Sequence, residues 1–108
     1  MKAIRDVVGG VKFSDGTVIY DNHEPDCCEH VYADWNALDD TTFFDEEFDS
    51  IKIEKVDGVG FRINTYFVPC YNIQEGGWYS SNLELIITKP DNSEEIIDIS
   101  DCSFFEER

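Results

Sequence analysis

Positive charge is scarce in this sequence. Only 8 lysine and arginine residues stand against 24 aspartate and glutamate residues, which gives a formal net charge of −16. Neither lysine nor arginine occurs between Phe13 and Ile51, although half of the acidic residues lie there. Nucleic-acid backbones and anionic membranes are bound through basic patches, so we expect neither as a partner. The charge favours instead a basic partner, a cation or simple solubility.

Long apolar runs are also missing. No apolar stretch reaches the ~18 residues that a membrane-spanning helix needs. The segment Met1–Gly10 lacks the apolar core of a secretory signal peptide. We therefore expect a cytoplasmic protein, located in the host cytoplasm if a phage encodes it. In that compartment the four cysteines are expected to be reduced thiols rather than disulfides.

What the sequence does contain is a set of short apolar runs separated by turns. At 108 residues and 42% hydrophobic content, the chain is expected to form a single domain, residues 1–108. The dipeptide Asp15-Gly16 between two apolar runs predicts a β-hairpin, with positive φ at both central turn residues. Asp57-Gly58 predicts a second hairpin. Pro69 lacks a ladder donor, which predicts an edge strand or a bulge at that position.

One stretch is interpreted as a helix, from about residue 26 to residue 38. Asp26 and Glu29 have the spacing of a capping box. Behind them an apolar stripe recurs at helical spacing: Cys28, Val31, Tyr32, Trp35 and Leu38. The predicted fold class is α+β, with a mostly antiparallel sheet of about seven short strands and one main helix.

The same stretch contains residues that bind metals in other proteins, namely His23, Cys27, Cys28 and His30, with Cys70 or Cys102 available elsewhere. Zinc sites usually separate paired cysteines by about two to four residues, which adjacent cysteines do not satisfy. Cys27 near a helix start is a candidate nucleophile, but its acidic neighbours disfavour a thiolate. We therefore expect no catalytic residue, no metal site and no cofactor.

A second cluster combines aromatic rings with amides. Such groups suit stacking on a planar ligand and hydrogen bonding to its edge, although aromatic residues equally build cores. Arginines would supply the cation for a phosphate. The candidate ligand-binding residues are Arg62, Tyr71, Asn72, Trp78, Tyr79, Asn82 and Arg108.

Two motifs resemble those of known proteins. The pattern His23-x-x-Asp26-Cys27-Cys28-Glu29, followed later by Trp78-Tyr79-Ser80-Ser81-x-Leu83, resembles a group of small phage and bacterial proteins. Together with the intervening segment Tyr66–Asn72, the spacing looks like that of the phage Thoeris anti-defence proteins of the signal-sponge type. The resemblance implies a non-enzymatic homo-oligomer that captures a small nucleotide-derived immune signal of the cyclic ADP-ribose type, or a cyclic oligonucleotide, without cleaving it.

The sequence leaves a rival function open. The acidic run from Asp39 to Asp49 is also typical of an interaction or inhibitor protein that occupies a basic surface of a partner, in the manner of a DNA mimic. The sequence therefore predicts signal sequestration, with acidic mimicry as the alternative.

Overall fold

The chain forms two β-sheets that share one hydrophobic core. The computed structural model describes residues 1–5, 9–24, 28–75 and 82–108. Within these ranges the only helical elements are two 3₁₀ turns, Trp35–Leu38 and Phe43–Asp45. The ten strands are β1 (Ala3–Ile4), β2 (Gly10–Phe13), β3 (Val18–Asn22), β4 (Glu29–Ala33), β5 (Ile53–Val56), β6 (Gly60–Ile63), β7 (Tyr66–Gln74), β8 (Glu84–Thr88), β9 (Glu94–Asp98) and β10 (Phe104–Glu107).

The first sheet has the order β1-β2-β3-β8-β9 and is antiparallel throughout. It contains the predicted hairpin β2–β3, which is confirmed. The turn differs from the expected one, because of its two central residues only Gly16 has a positive φ, at 100°. The Gly16 amide donates to the Phe13 carbonyl (2.9 Å) and the Phe13 amide donates to the Thr17 carbonyl (2.7 Å). These bonds close a three-residue loop in which glycine takes the left-handed position.

The second sheet is built around the nine-residue strand β7. Amides of successive strand residues point to opposite edges, so two bonds near the middle of β7 locate its neighbours. The Cys70 amide donates to the Val59 carbonyl beside β6, whereas the Pro69 carbonyl accepts from the Asp34 amide at the end of β4. Strands β6 and β10 therefore lie along one edge of β7 and β4 along the other. The β5–β6 hairpin predicted at Asp57-Gly58 completes the sheet and is confirmed.

Pro69 lies within this central strand, so the prediction of an edge strand or a bulge is wrong. Its missing N–H faces β4 at the point where β4 ends, since Ala33 is the last β4 residue and is paired with Cys70. The strand therefore loses a donor only where the ladder stops, which is why proline is tolerated there.

The helix predicted from about residue 26 to residue 38 is wrong. The segment Glu29–Ala33 is strand β4, and its burial alternates with a period of two. Val31 and Ala33 face the core, whereas Tyr32, assigned to the apolar stripe, is 41% exposed. Valine and tyrosine favour strands, and β7 offers a complete ladder of partners that no local pattern reveals. Asp26 of the expected capping box lies outside the described residues.

The predicted α+β fold class is therefore also wrong. The described residues form a nearly all-β protein with ten strands in two sheets, three more strands than the predicted number. One of the additional strands is β10 in the C-terminal tail, which runs parallel to β7. The described part of the chain holds no helix with the length and apolarity needed to cross a bilayer.

Candidate functional site

A buried polar network joins β3, β4 and β7 at one end of the two sheets. The Glu29 side chain is 1% exposed and accepts two hydrogen bonds, from His23 Nε2 at 2.8 Å and from Gln74 Nε2 at 3.1 Å. On its other side the His23 ring meets the main-chain carbonyl of Asn82, with Nδ1 2.6 Å from the oxygen. One carboxylate thus connects segments that are distant in the sequence.

The geometry of His23 determines where its protons lie. The Asn82 carbonyl oxygen can only accept, so Nδ1 carries a hydrogen. The facing pair of Nε2 and Glu29 Oε1 then shares a further proton, because two acceptors would not approach to 2.8 Å. The contact between Nε2 and Oε1 is therefore a hydrogen bond that holds the imidazole ring against the carboxyl group.

Gln74 completes the network with one unmatched atom. Its side chain is 2% exposed, and its amide nitrogen donates to both Glu29 and Asn72. Within the described ranges its carbonyl oxygen Oε1 is buried without a hydrogen-bond partner. A lost buried hydrogen bond costs about 1–3 kcal/mol. The remaining bonds of the network must offset that cost.

Beside this network lies an open cleft of about 430 Å³, lined by Asp21, Asn22, His23, Glu29, His30, Val31 and Tyr32. Its two acids are already engaged. Asp21 accepts from the Trp35 indole (2.9 Å) and from the Ala33 amide (3.0 Å), and so ties β3 to β4. Both acids of the cleft are therefore held in place by hydrogen bonds to other protein groups.

Among the residues that the structure describes, the predicted ligand-binding side chains do not converge on one pocket. Tyr71 and Asn72 are neighbours on β7, and successive strand residues point to opposite faces. Asn72 belongs to the buried network, and Asn82 joins it through its main-chain carbonyl. Tyr71 lies on the outer face of the sheet, while Trp78 and Tyr79 lie outside the described residues.

The two predicted cations are already paired with acids. Arg62 Nη1 lies 3.0 Å from Glu54 Oε1. Arg108 contacts Glu106 at 3.2 Å and Glu75 at 3.9 Å. A phosphate would have to displace these carboxylates, so neither arginine is preorganised for a nucleotide ligand.

Three strands place aromatic residues side by side on the outer face of the second sheet. Tyr32 of β4 and Phe104 of β10 are both in register with Tyr71 of β7. The Tyr32 and Tyr71 rings are 5.5 Å apart, and Tyr32 and Phe104 are 41% and 53% exposed. We call these three residues the aromatic row.

Comparison of the chain with protein-family models, curated proteins and solved structures found no match.

Cys70 and Cys102 are buried, whereas Cys28, the third described cysteine, is half-buried. Burial, with smaller contributions from Asp21 and Cys102, raises the pKa of Cys70 to about 12. Burial also raises the pKa of Cys102. Both therefore remain thiols near neutral pH. Cys27, the predicted nucleophile, lies outside the described residues, and no group of metal-binding side chains occurs among those described.

The acidic segment, Asp39–Asp49, is held against the core by its aromatic residues. Phe43 is fully buried and Phe48 is 7% exposed. The main chain is fastened by bonds such as that from the Phe48 amide to the Met1 carbonyl (2.8 Å). All six carboxyl side chains of the segment face solvent: Asp39, Asp40, Asp45, Glu46, Glu47 and Asp49. The result is a fixed acidic surface on a packed base.

The acidic run could be recognised in the sequence, whereas the buried polar network could not. Glu29 appeared as a helix cap and Gln74 as a loop residue, whereas the structure brings them together from strands 45 residues apart. No hydrophobic periodicity or motif spacing in the sequence predicts that Glu29 contacts Gln74. The contact follows only from the pairing of β4 with β7.

Proposed function

We propose that this protein is a non-enzymatic binding protein that occupies a basic surface of a partner through its acidic segment. The observation that supports this most directly is the contrast within that segment. Phe43 and Phe48 are buried and Phe44 is half-buried, while the six carboxylates of the segment are exposed. Only Asp39 and Glu47 contact a cationic group within the described residues, namely Arg5 (3.7 Å) and the Met1 amino group (3.1 Å). Most of the segment's charge is therefore available to a partner.

A fixed acidic surface suits this role physically. Exposed charges steer a partner of opposite sign and raise the association rate, with strong dependence on salt. Because the segment is already anchored, binding requires little ordering of the main chain.

A fluorescent peptide rich in lysine and arginine provides the first test. We expect it to bind at low ionic strength and to lose affinity steadily as salt rises. Neutralising Asp45, Glu46 and Glu47 with Asn and Gln should weaken binding about tenfold, since exposed pairs are worth up to ~0.5 kcal/mol each. Fluorescence anisotropy over a salt series measures both effects.

The matched control neutralises three exposed acids outside the segment, Asp57, Asp101 and Glu107, and so changes the net charge equally. If both triple variants lose the same affinity, binding follows net charge and not the acidic segment. If the unmodified protein ignores the peptide even at low salt, the proposal is wrong.

A second candidate function is sequestration of a nucleotide-derived immune signal, as the motif resemblance implies. The aromatic row supports it, because exposed aromatic faces on neighbouring strands are suited to stacking on bases. Titration calorimetry with cyclic ADP-ribose isomers should then give heat, and Tyr71→Ala should remove it. Native mass spectrometry of the same sample would report the expected homo-oligomer and bound ligand. No heat with any isomer would reject this candidate.

A further inference from the structure

A groove of about 620 Å³ opens next to the acidic segment, where three turns of the chain meet. Its lining combines the β2–β3 turn, the residues that follow the acidic segment, and the β8–β9 turn. Gly16 and Pro90 show how closely two of these turns approach, since a Cβ at Gly16 would lie 3.9 Å from the Pro90 side chain. The groove is thus formed by long-range packing and is not visible in the sequence.

The lining is apolar where it is buried and acidic where it is exposed. Ile87 is 7% exposed and Ile51 is half-buried, so they form the base. The exposed residues include four carboxylates: Asp15, Asp49, Asp91 and Glu95. An apolar base below an acidic opening fits a side chain with a hydrocarbon stem and a cationic head.

The acids outnumber the cations at this site. Lys89 lies 3.9 Å from Glu95, and the Met1 amino group is held by Glu47 and by the Phe48 carbonyl (2.7 Å). Asp49 makes no ion pair or hydrogen bond with any other described residue. The groove therefore keeps a surplus of negative charge.

Two of the carboxylates are held in place by their own turns. Asp15 Oδ1 accepts from the Thr17 amide (2.9 Å). Asp91 Oδ1 accepts from the Ser93 hydroxyl (2.6 Å) and the Ser93 amide (3.0 Å), and these bonds lower the pKa of Asp91. Both acids are thus oriented before any ligand arrives, which reduces the ordering cost of binding.

The Thr17 hydroxyl offers the groove a further polar group. Thr17 lines the groove and is 7% exposed as a whole residue. Its hydroxyl makes no hydrogen bond with another described residue and is accessible to solvent, so it is available to a donor that enters the groove.

We propose that the groove binds an arginine side chain of the basic partner. This inference rests on the proposed function and identifies where its partner is anchored. The guanidinium group carries five donors in a planar fork, which suits several oxygen acceptors around one opening. The stem lies on Ile51 and Ile87, and the head reaches Asp15, Asp49 and the Thr17 hydroxyl. Asp49 is also the last residue of the acidic segment, so a single surface of the partner covers both the groove and the acidic segment.

The test uses two peptides of equal length and charge, one with arginine and one with lysine, titrated into the isotopically labelled protein. We expect the arginine peptide to bind more tightly and to shift the amide resonances of Thr17, Asp49 and Ile51. The double variant Asp15→Asn with Asp49→Asn should lose about tenfold in affinity, as expected for charge-assisted contacts worth ~1.5 kcal/mol together. Thr17→Val, which keeps the net charge, should lose part of the preference for arginine.

The control is the double variant Asp101→Asn with Glu107→Gln, which removes the same charge elsewhere, and thermal unfolding verifies that every variant is folded. Equal losses in the two double variants, or shifts confined to residues 39–47, would overturn the groove proposal and leave the proposed function standing. Equal affinity for the two peptides would overturn the choice of arginine. No binding of either peptide at low salt would overturn both proposals.

Discussion

Truncation of Phe43 to alanine is expected to lower the free energy of unfolding by about 3–5 kcal/mol, the usual cost of removing a fully buried phenyl ring. Phe43 is 0% exposed and contacts rings from both sheets. Its centroid lies 6.1 Å from that of Phe13 on β2 and 5.3 Å from that of Tyr66 on β7. It also contacts Phe48, the second aromatic anchor of the acidic segment, at 5.3 Å. Chemical denaturation monitored by tryptophan fluorescence measures the loss.

Phe104→Ala is the matched control, because it removes the same ring from a position that is 53% exposed. We expect it to change stability by less than ~1 kcal/mol. A Phe43→Ala variant as stable as the Phe104→Ala variant would contradict the role of Phe43 as the link between the sheets.

The consequence of Phe43 for function follows from its position. It lies between Asp40 and Asp45, so the ring that joins the sheets also anchors the exposed acids. In a Phe43→Ala variant that remains folded, the acidic segment should lose order and the basic peptide should bind more weakly. Stability and binding are thus connected through one side chain.

Hairpins were predictable from the sequence because their determinants are local. Asp15-Gly16 and Asp57-Gly58 each supply a glycine with positive φ, at 100° and 77°, between two runs of strand-forming residues. The exact turn at Gly16 was not predictable in the same way, since aspartate-glycine is compatible with more than one loop geometry.

The helix prediction was wrong because the helical periodicity and the strand periodicity fit the same residues. Val31 and Trp35 are four apart, so they share a face both of a helix and of an extended chain. Ala33, which is buried between them, and Tyr32, which is exposed, distinguish a strand from a helix. In the sequence alone, these two residue types are weak indicators of which side chains are buried. The ladder of β4 on β7 decides the outcome, and that contact joins residues about 40 positions apart.

The candidate site shows the same division. Tyr71 and Asn72 are adjacent in the sequence and were therefore predicted to line one pocket. The pleat of β7 instead places their side chains on opposite faces of the sheet. The parallel pairing of β10 with β7, which completes the aromatic row, joins segments with no shared local pattern. Residue types were therefore predictable, and their convergence was not.

Replacement of Glu29 by alanine is expected to cost about 3–5 kcal/mol of stability, the penalty for breaking a buried charged pair from one side. The change leaves His23 Nε2 and one donor of Gln74 without their acceptor, at a position where water has little access because the Glu29 side chain is 1% exposed. It would also release β4 from the carboxylate that joins it to β3 and β7. Thermal and chemical unfolding give the magnitude.

The same substitution at Glu75 provides the comparison. Glu75 also pairs with a histidine, His30 at 3.7 Å, but the two side chains are 47% and 61% exposed, so Glu75→Ala should cost less than ~1 kcal/mol. A double-mutant cycle with His23→Ala then isolates the coupling between His23 and Glu29. Strong coupling, with binding of the basic peptide unchanged in folded variants, would establish the His23–Glu29 motif as a structural anchor separate from the binding surface. Weak coupling would show that the buried network contributes little, and the two β4 contacts that remain, from Asp21 and from β7, would then be sufficient to hold the strand.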